Sequence, residues 1–258
     1  HVYQGNRKNC GVDGRKDTMI VAIIPARIGS KEIHQKNITR VAGKPLVTWT
    51  LDAVADSKLI DVSVLTSDDP RVLSLAGTRH TTHKRSAGAS SDTASLEDVV
   101  KEVIASDTIF SQAEVCLLLQ PTSPVRTGEQ IDAALAQLRY DGADSLVSVV
   151  RTHSFLWSKS TESGVVPKSY DYATRPRRQE LVPDYEENGS IYAFTKKHWD
   201  KTECRLGGKI SLFEMPEESK IQIDSHLDMY LVGKILEKRE QSRNRYRHIG
   251  EALARGVG

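Results

Sequence analysis

Cysteine is scarce in this chain. The three present, Cys10, Cys116 and Cys204, are an odd count without C-x-x-C spacing. That argues against a disulfide framework or a cysteine-rich zinc site and fits a reducing, cytoplasmic setting. No apolar run approaches the about 20 residues needed to cross a bilayer, and no secretory h-region precedes the first apolar stretch. Charge of one sign is also missing: the net charge is +2, too little to argue for nucleic acid or an anionic membrane as partner. Neither the Walker spacing G-x-x-x-x-G-K-[ST] nor the dinucleotide fingerprint G-x-G-x-x-G occurs. What remains is a chain of 258 residues, 38% hydrophobic and 27% charged, sized for one large α/β domain or a domain with a small appendage.

Residues 1–18 are polar, contain Gly5, Gly11 and Gly14, and show no periodicity. They are expected to be a leader or expression remnant outside the fold, with Met19 as a natural start. From residue 20 to 150 strands and helices alternate. Apolar, β-branched runs at 20–24 and 115–119 read as buried strands, 60–66 alternates as a strand, and 145–150 reads as a fourth. Helices are expected at 46–55, at 71–77 after Ser67-Asp-Asp-Pro70, from Asp92 or Thr93 with Leu96, Val99, Val100, Val103 and Ile104 on one face, and at 128–139. Residues 41–45 form a turn, and 78–91 is a polar, basic loop. The pattern predicts a doubly wound, mostly parallel sheet, whose ligands sit at the carboxyl ends of the strands. It breaks at 151–185, a long segment with Phe155, Trp157, Tyr170 and Tyr172. Strands are expected again at 188–194, 210–214 and 221–224, followed by a helix capped by Asp224 or Ser225 that presents Leu227, Tyr230, Leu231, Ile235 and Leu236. Its basic end reads as a solvated face.

The organising stretch is I-V-A-I-I-P-A-R-I-G-S-K-E-I-H-Q-K-N-I, residues 20–38. Pro25 ends the strand because it has no N–H for a ladder. A small cationic loop follows, with Ala26, Arg27, Gly29, Ser30 and Lys31, then Lys36 and Asn37. Backbone N–H groups and fixed cations at the end of a buried strand suit phosphate. A charged turn without a ligand has the same composition.

This stretch resembles the first motif of the CMP-sialic acid synthetases (acylneuraminate cytidylyltransferases), I-P-A-R-x-G-S-K-G-I-P-x-K-N-I. Glu32 and His34 replace the usual glycine and proline. Further blocks along the chain resemble the family in order, so the similarity spans about 20–235. Gln120-Pro-Thr-Ser-Pro-Val-Arg126 is similar to the L-L-Q-P-T-S-P-L-R-T block. Arg85 with Ser91-Asp92-Thr93-Ala94 is similar to R-P-x-x-x-A-S-D-T-A, with Ser86 for proline. Arg177-Arg178-Gln179 and Asn188-Gly-Ser-Ile-Tyr192 resemble R-R-Q-x-L and E-N-G-x-I-Y. Ile221-Gln222-Ile223-Asp224 stands at the metal block I-D-I-D. Read alone, the first of these is a rigid turn, the second a helix start and the basic pair a solvated stretch.

The resemblance implies a Rossmann-like nucleotidyltransferase that moves CMP from CTP to a nine-carbon α-keto acid sugar of sialic or legionaminic type. It assigns the triphosphate to Arg27, Ser30, Lys31 and Lys36, with Ala26 and Gly29 shaping the loop and Asn37 on the ribose or base side. It assigns the cytidine to Arg85, Ser91, Asp92 and Ala94, and the sugar to Gln120, Thr122, Ser123, Gln179, Asn188 and Tyr192. Arg178 would take the sugar carboxylate, since a planar guanidinium suits one. Mg²⁺ would sit at Asp224 and Gln222, more weakly than with two carboxylates. Catalysis falls to Lys36, Arg27 and Asp224. The family is dimeric, and 151–185 matches the segment exchanged between subunits, leaving 19–150 and 186–258 as the nucleotidyltransferase core. No nucleic acid or membrane partner is expected. Rival readings are a Kdo-type cytidylyltransferase, a catalytically weakened binding homologue motivated by Glu32, His34 and Gln222, and an interaction protein using the Trp157 segment.

Overall fold

The computed structural model describes residues 18–30, 32–91, 93–107, 110, 112–160, 164–180 and 182–255. Lys31, Asp92 and the expected leader (except Thr18) lie outside them. Strand β1 (Ile20–Pro25) is buried at every position, as its unbroken apolar run requires. It lies at the centre of a sheet of seven strands ordered β11–β7–β10–β6–β1–β4–β5. These are β4 (Val62–Ser67), β5 (Thr81–Lys84), β6 (Val115–Leu118), β7 (Ser145–Thr152), β10 (Asp184–Thr195) and β11 (Ile210–Glu214). Neighbours run parallel except β10, which is antiparallel to both β6 and β7. Chain order steps from β1 outward to β4 and β5, then returns to the other side of β1 with β6. The crevice between the ends of β1 and β6 is therefore the topological switch point of the sheet, where ligands collect in such folds.

Helices cover both faces. On one lie α1 (Leu46–Asp56), α2 (Pro70–Leu73) and α4 (Gly128–Asp141), which bury Leu51, Val72 and Ile131 against Ile24, Leu65 and Leu117. On the other, α3 (Leu96–Ser106) and α5 (Lys196–Thr202) bury Val100, Val103 and Trp199 against Ile23, Leu118 and Phe194. The 41–45 turn is a two-residue hairpin between β2 (Arg40–Val41) and β3 (Lys44–Pro45). Ala42 and Gly43 take φ of 47° and 88°, the positive values such tight hairpins demand. Helix α6 (His226–Arg255) crosses outside α1, packing Val232 and Leu236 onto Ile33, Leu46, Trp49 and Ile223.

Five expectations need correction. The 78–91 loop contains edge strand β5. The 71–77 helix is one turn of α-helix followed by the 3-10 turn Ser74–Ala76. Helix α3 is capped by Ser95 through a box with Asp98, not by Asp92 or Thr93. Residues 221–224 form no ladder; the Ile223 N–H goes instead to the Thr122 carbonyl at 2.8 Å. Helix α6 turns Val232 and Leu236 inward and leaves Leu227, Tyr230 and Leu231 exposed. Segment 151–185 continues β7 and then forms a hairpin of β8 (Trp157–Ser160) and β9 (Gly164–Pro167) apart from the main sheet.

Candidate active site

A cleft of roughly 300 Å³ opens at the switch point. It gathers Arg27, Gly29, Ser30, Lys36 and Asn37 after β1, Arg85, Ser91 and Ala94 after β5, and Gln120 and Thr122 after β6. Ten of the residues singled out in the sequence thus meet in one place, from three loops that follow parallel strands. Ala89, Leu96 and Val99 add an apolar wall that no sequence motif had marked.

The first loop is held from below. The Ala26 N–H donates to the Thr66 carbonyl at 2.9 Å, the Ile28 N–H to Asp68 Oδ1 at 2.9 Å, and Asn37 Nδ2 to the Arg27 carbonyl at 2.8 Å. Ala26 itself is fully buried and anchors the loop rather than lining the cleft. Asn37 Oδ1 is buried without a hydrogen-bond partner among the described residues. Lys36 follows a left-handed Gln35 (φ 52°) in the 3-10 turn Lys36–Ile38. Its ammonium donates to the Ile223 carbonyl at 2.6 Å and to Asp224 Oδ1 at 3.1 Å. The expected phosphate lysine and the expected metal carboxylate are therefore neighbours, and the Asp224 side chain is 73% exposed.

Arg85 is buried yet borders the cleft. Burial, only partly offset by the carboxylates of Asp68 and Glu102, brings its guanidinium down to about 10, so it stays cationic at neutral pH. The sequence motif had flagged Arg126 only as the last letter of its block. It is the largest fully buried side chain, donating to the carbonyls of Gln120 and Ser190 and to Thr50 Oγ1. Burial alone lowers it to about 9. It ties the Gln120 loop to β10 and α1, so Gln120 is presented from a fixed base.

Three expected sugar contacts lie elsewhere. Ser123 is buried and donates to the Asn188 carbonyl at 2.8 Å. Asn188 accepts from Ser148 Oγ at 2.6 Å and donates to Ser219 Oγ at 3.0 Å, so its carboxamide is consumed inside the protein. Tyr192 donates to Glu187 Oε2 at 3.0 Å, and burial pushes its hydroxyl up to about 12. These three hold β10 against its neighbours. Gln179 is exposed on the 3-10 turn Arg178–Glu180, outside the cleft, and the Arg178 side chain lies outside the description. Gln222 turns its carboxamide onto Gly189, whose Cβ, were there one, would meet Gln222 Cδ at 2.8 Å and Gln120 Oε1 at 2.9 Å.

Among the described residues no group of three or more His, Cys, Asp or Glu is placed to hold a metal. The exposed carboxylate of Asp224 nonetheless fits Mg²⁺, which commonly binds through one or two carboxylates and completes its shell with substrate phosphates and water.

A mostly parallel sheet, with helices on both faces and a cationic cleft at the switch point, defines a Rossmann-like fold of the kind that binds nucleotide phosphates. The chain belongs to the cytidylyltransferase family, whose model, described as Cytidylyltransferase, matches residues 21–244. N-acylneuraminate cytidylyltransferase B of Danio rerio is 38% identical over 212 residues, which cover 80% of this chain and 49% of that protein. The chain thus spans about half the length of that relative. CMP-N,N'-diacetyllegionaminic acid synthase of Legionella pneumophila is 33% identical over 233 residues, covering 86% of this chain and 98% of the relative. A solved CMP:2-keto-3-deoxy-manno-octonic acid synthetase complexed with CTP shares the fold, with a TM-score of 0.62 at 19% identity over 86% of this chain and all of that one.

Proposed function

We propose that this protein transfers CMP from CTP to the anomeric hydroxyl of a nine-carbon α-keto acid sugar of sialic or legionaminic type, releasing pyrophosphate. The observation that carries the reading is the convergence of Arg27, Lys36 and Arg85 on one cleft at the switch point, with Asp224 on the Lys36 ammonium. In-line attack on the α-phosphorus needs positioning and charge neutralisation more than covalent help from the protein. Arg27, the backbone at Gly29 and the Ser30 hydroxyl suit the triphosphate. Lys36 reaches from the loop toward Asp224 and suits the α-phosphate. Gln120 and Thr122 border the sugar side. Mg²⁺, held by Asp224, would supply further neutralisation of phosphate charge. The names of the Danio and Legionella relatives support a nonulosonic acid as acceptor. The Kdo-type alternative draws on a structural neighbour whose likeness reaches only the fold.

Pyrophosphate release with CTP and Mg²⁺ against N-acetylneuraminic, legionaminic and pseudaminic acids and Kdo tests the reading. Release with one nine-carbon acid is expected, falling by about 10²-fold or more in Lys36→Ala and Asp224→Ala. Release with Kdo alone would transfer the assignment to the eight-carbon acid. Calorimetric binding of CTP without release against any acid would support the binding homologue.

A further inference from the structure

We infer that His83 is a positioning residue for Arg85, acting through the hydroxyl of Thr66, and thereby sets the affinity of the cleft for a cytidine nucleotide. The identity of the ligand rests on the cytidylyltransferase reading; the geometry stands apart from it. Arg85 spends two of its five N–H donors on one residue: Nε donates to Thr66 Oγ1 at 3.2 Å and Nη2 to the Thr66 carbonyl at 3.2 Å. Among the described residues no hydrogen-bond acceptor takes its remaining donors, and the residue borders the cleft. The orientation of the guanidinium therefore depends on whether Thr66 Oγ1 is held as an acceptor.

A hydroxyl turns its proton to suit its neighbours. Here the neighbour is His83, paired with Thr66 across the β4–β5 ladder, whose Nδ1 lies 3.0 Å from Thr66 Oγ1. On the far side of the ring, Nε2 faces Glu102 Oε1 at 3.6 Å. Glu102, on α3, is itself fixed by the Ser86 N–H at 2.8 Å and the Ser86 hydroxyl at 2.5 Å. A fixed carboxylate on the Nε2 side draws the imidazole proton there, which leaves Nδ1 as the acceptor. Burial is the largest influence on the ring and lowers its pKa, which favours that neutral form. The Thr66 proton then points at Nδ1, and the oxygen's lone pairs are presented to Arg85. Glu102, His83, Thr66 and Arg85 form one chain running from α3 through β5 and β4 to the cleft. Thr66 also takes the Ala26 N–H on its carbonyl, so the same residue anchors the phosphate loop.

Calorimetry of CTP binding to the full chain, without sugar acid, tests this. His83→Leu fills the space without an acceptor and is expected to weaken CTP about five- to tenfold. His83→Asn, which can offer an amide oxygen near the Nδ1 position, is expected to stay within about twofold of the wild type. Thr66→Val and Thr66→Ser repeat the contrast from the other side of the hydrogen bond, and serve if His83→Leu does not fold. In turnover the loss appears in KM for CTP with kcat unchanged. Equal binding by His83→Leu and the wild type overturns the inference. So does an equal loss in both His83 variants that tracks a fall in melting temperature, because that marks a structural role only. Failure of the wild type itself to bind CTP overturns the functional reading, and the inference with it.

Discussion

At the scale of single residues, Gly189 shows how tightly the backbone behind Gln120 is packed. Strand β10 changes register between Glu187 and Tyr192, and Gly189 takes a φ of 63° within that irregularity. An L-residue there is strained, and its Cβ would press on the carboxamides of Gln222 and Gln120. Gly189→Ala is therefore expected to cost about 1–3 kcal/mol of stability, read by thermal unfolding. Under the proposed function it should raise KM for the sugar acid more than KM for CTP, because Gln120, one of the two displaced side chains, borders the cleft. Gln222 invites the opposite experiment. Its neutral amide oxygen contributes less to a divalent cation than a carboxylate does. Gln222→Asp would restore the second carboxylate of the I-D-I-D pattern, two residues before Asp224, on a shorter side chain that withdraws from Gly189. It is expected to lower the Mg²⁺ concentration for half-maximal pyrophosphate release several-fold, measured by titrating the metal at saturating CTP. An unchanged or raised requirement would place Gln222 outside the metal shell.

At the scale of elements, three helices begin with the same device. Ser95 with Asp98, Thr127 with Gln130 and Ser225 with Asp228 exchange side-chain and backbone hydrogen bonds at the starts of α3, α4 and α6. The Ser225 hydroxyl and N–H hold the Asp228 carboxyl below the usual carboxylate range. A group whose folded pKa is depressed stabilises the protein above its unfolded pKa, near 4, and that contribution is lost as pH falls through and below it. The melting temperature of the wild type should therefore fall more steeply between about pH 5 and pH 3 than that of Asp228→Asn, followed by circular dichroism. Ser225→Ala should cost about 1 kcal/mol at neutral pH. Asp224 is the residue just before this cap, so the same variant should also disturb the Lys36–Asp224 ion pair. The elements read correctly from sequence were those with a strong period. Val99, Val100, Val103 and Ile104 recur on one helical face, and residues 20–24 and 115–118 are unbroken apolar runs. Strand β5, Thr-Thr-His-Lys, was invisible because an edge strand with mostly exposed residues carries no apolar alternation. Residues 221–224 failed the other way. They alternate as a strand does, but the Ile223 N–H is taken by Thr122 and the Asp224 N–H by Asp228, so no ladder forms. The cleft residues were legible where a motif followed a strand directly. Ser123, Asn188 and Tyr192 fall outside the cleft lining for reasons local pattern does not record: Ser123, in the loop after β6, is taken by the Asn188 carbonyl, Asn188 on the irregular β10 by Ser148 of β7 and Ser219 of the 3-10 turn Glu217–Lys220, and Tyr192 by Glu187 on its own strand.

At the scale of the whole molecule, residues 153–175 carry the clearest mismatch between chemistry and surroundings. Phe155 and Tyr170 meet edge to face at 4.6 Å, and Trp157 lies 6.0 Å from Tyr170 and 6.2 Å from Tyr172. Yet Trp157 is 50% exposed and Tyr172 66% exposed. Aromatic area left in water beside a hairpin that stands off the main sheet is the kind of surface that stabilises an assembly. We propose that it forms a homodimer interface, with this segment reaching the partner's cleft. The wild type should then sediment at twice the 28.6 kDa of one chain. Trp157→Glu paired with Tyr172→Glu should shift it to the single-chain mass at low micromolar concentration, because two desolvated carboxylates cannot be matched across the interface. The cleft is built from the segments that follow β1, β5 and β6, far along the chain from these positions, so the same variant should still bind CTP. If the segment also completes the sugar site, pyrophosphate release should collapse while CTP binding persists. Release that survives in the monomer would confine the segment to assembly, and a wild type that sediments as one chain would remove the interface altogether.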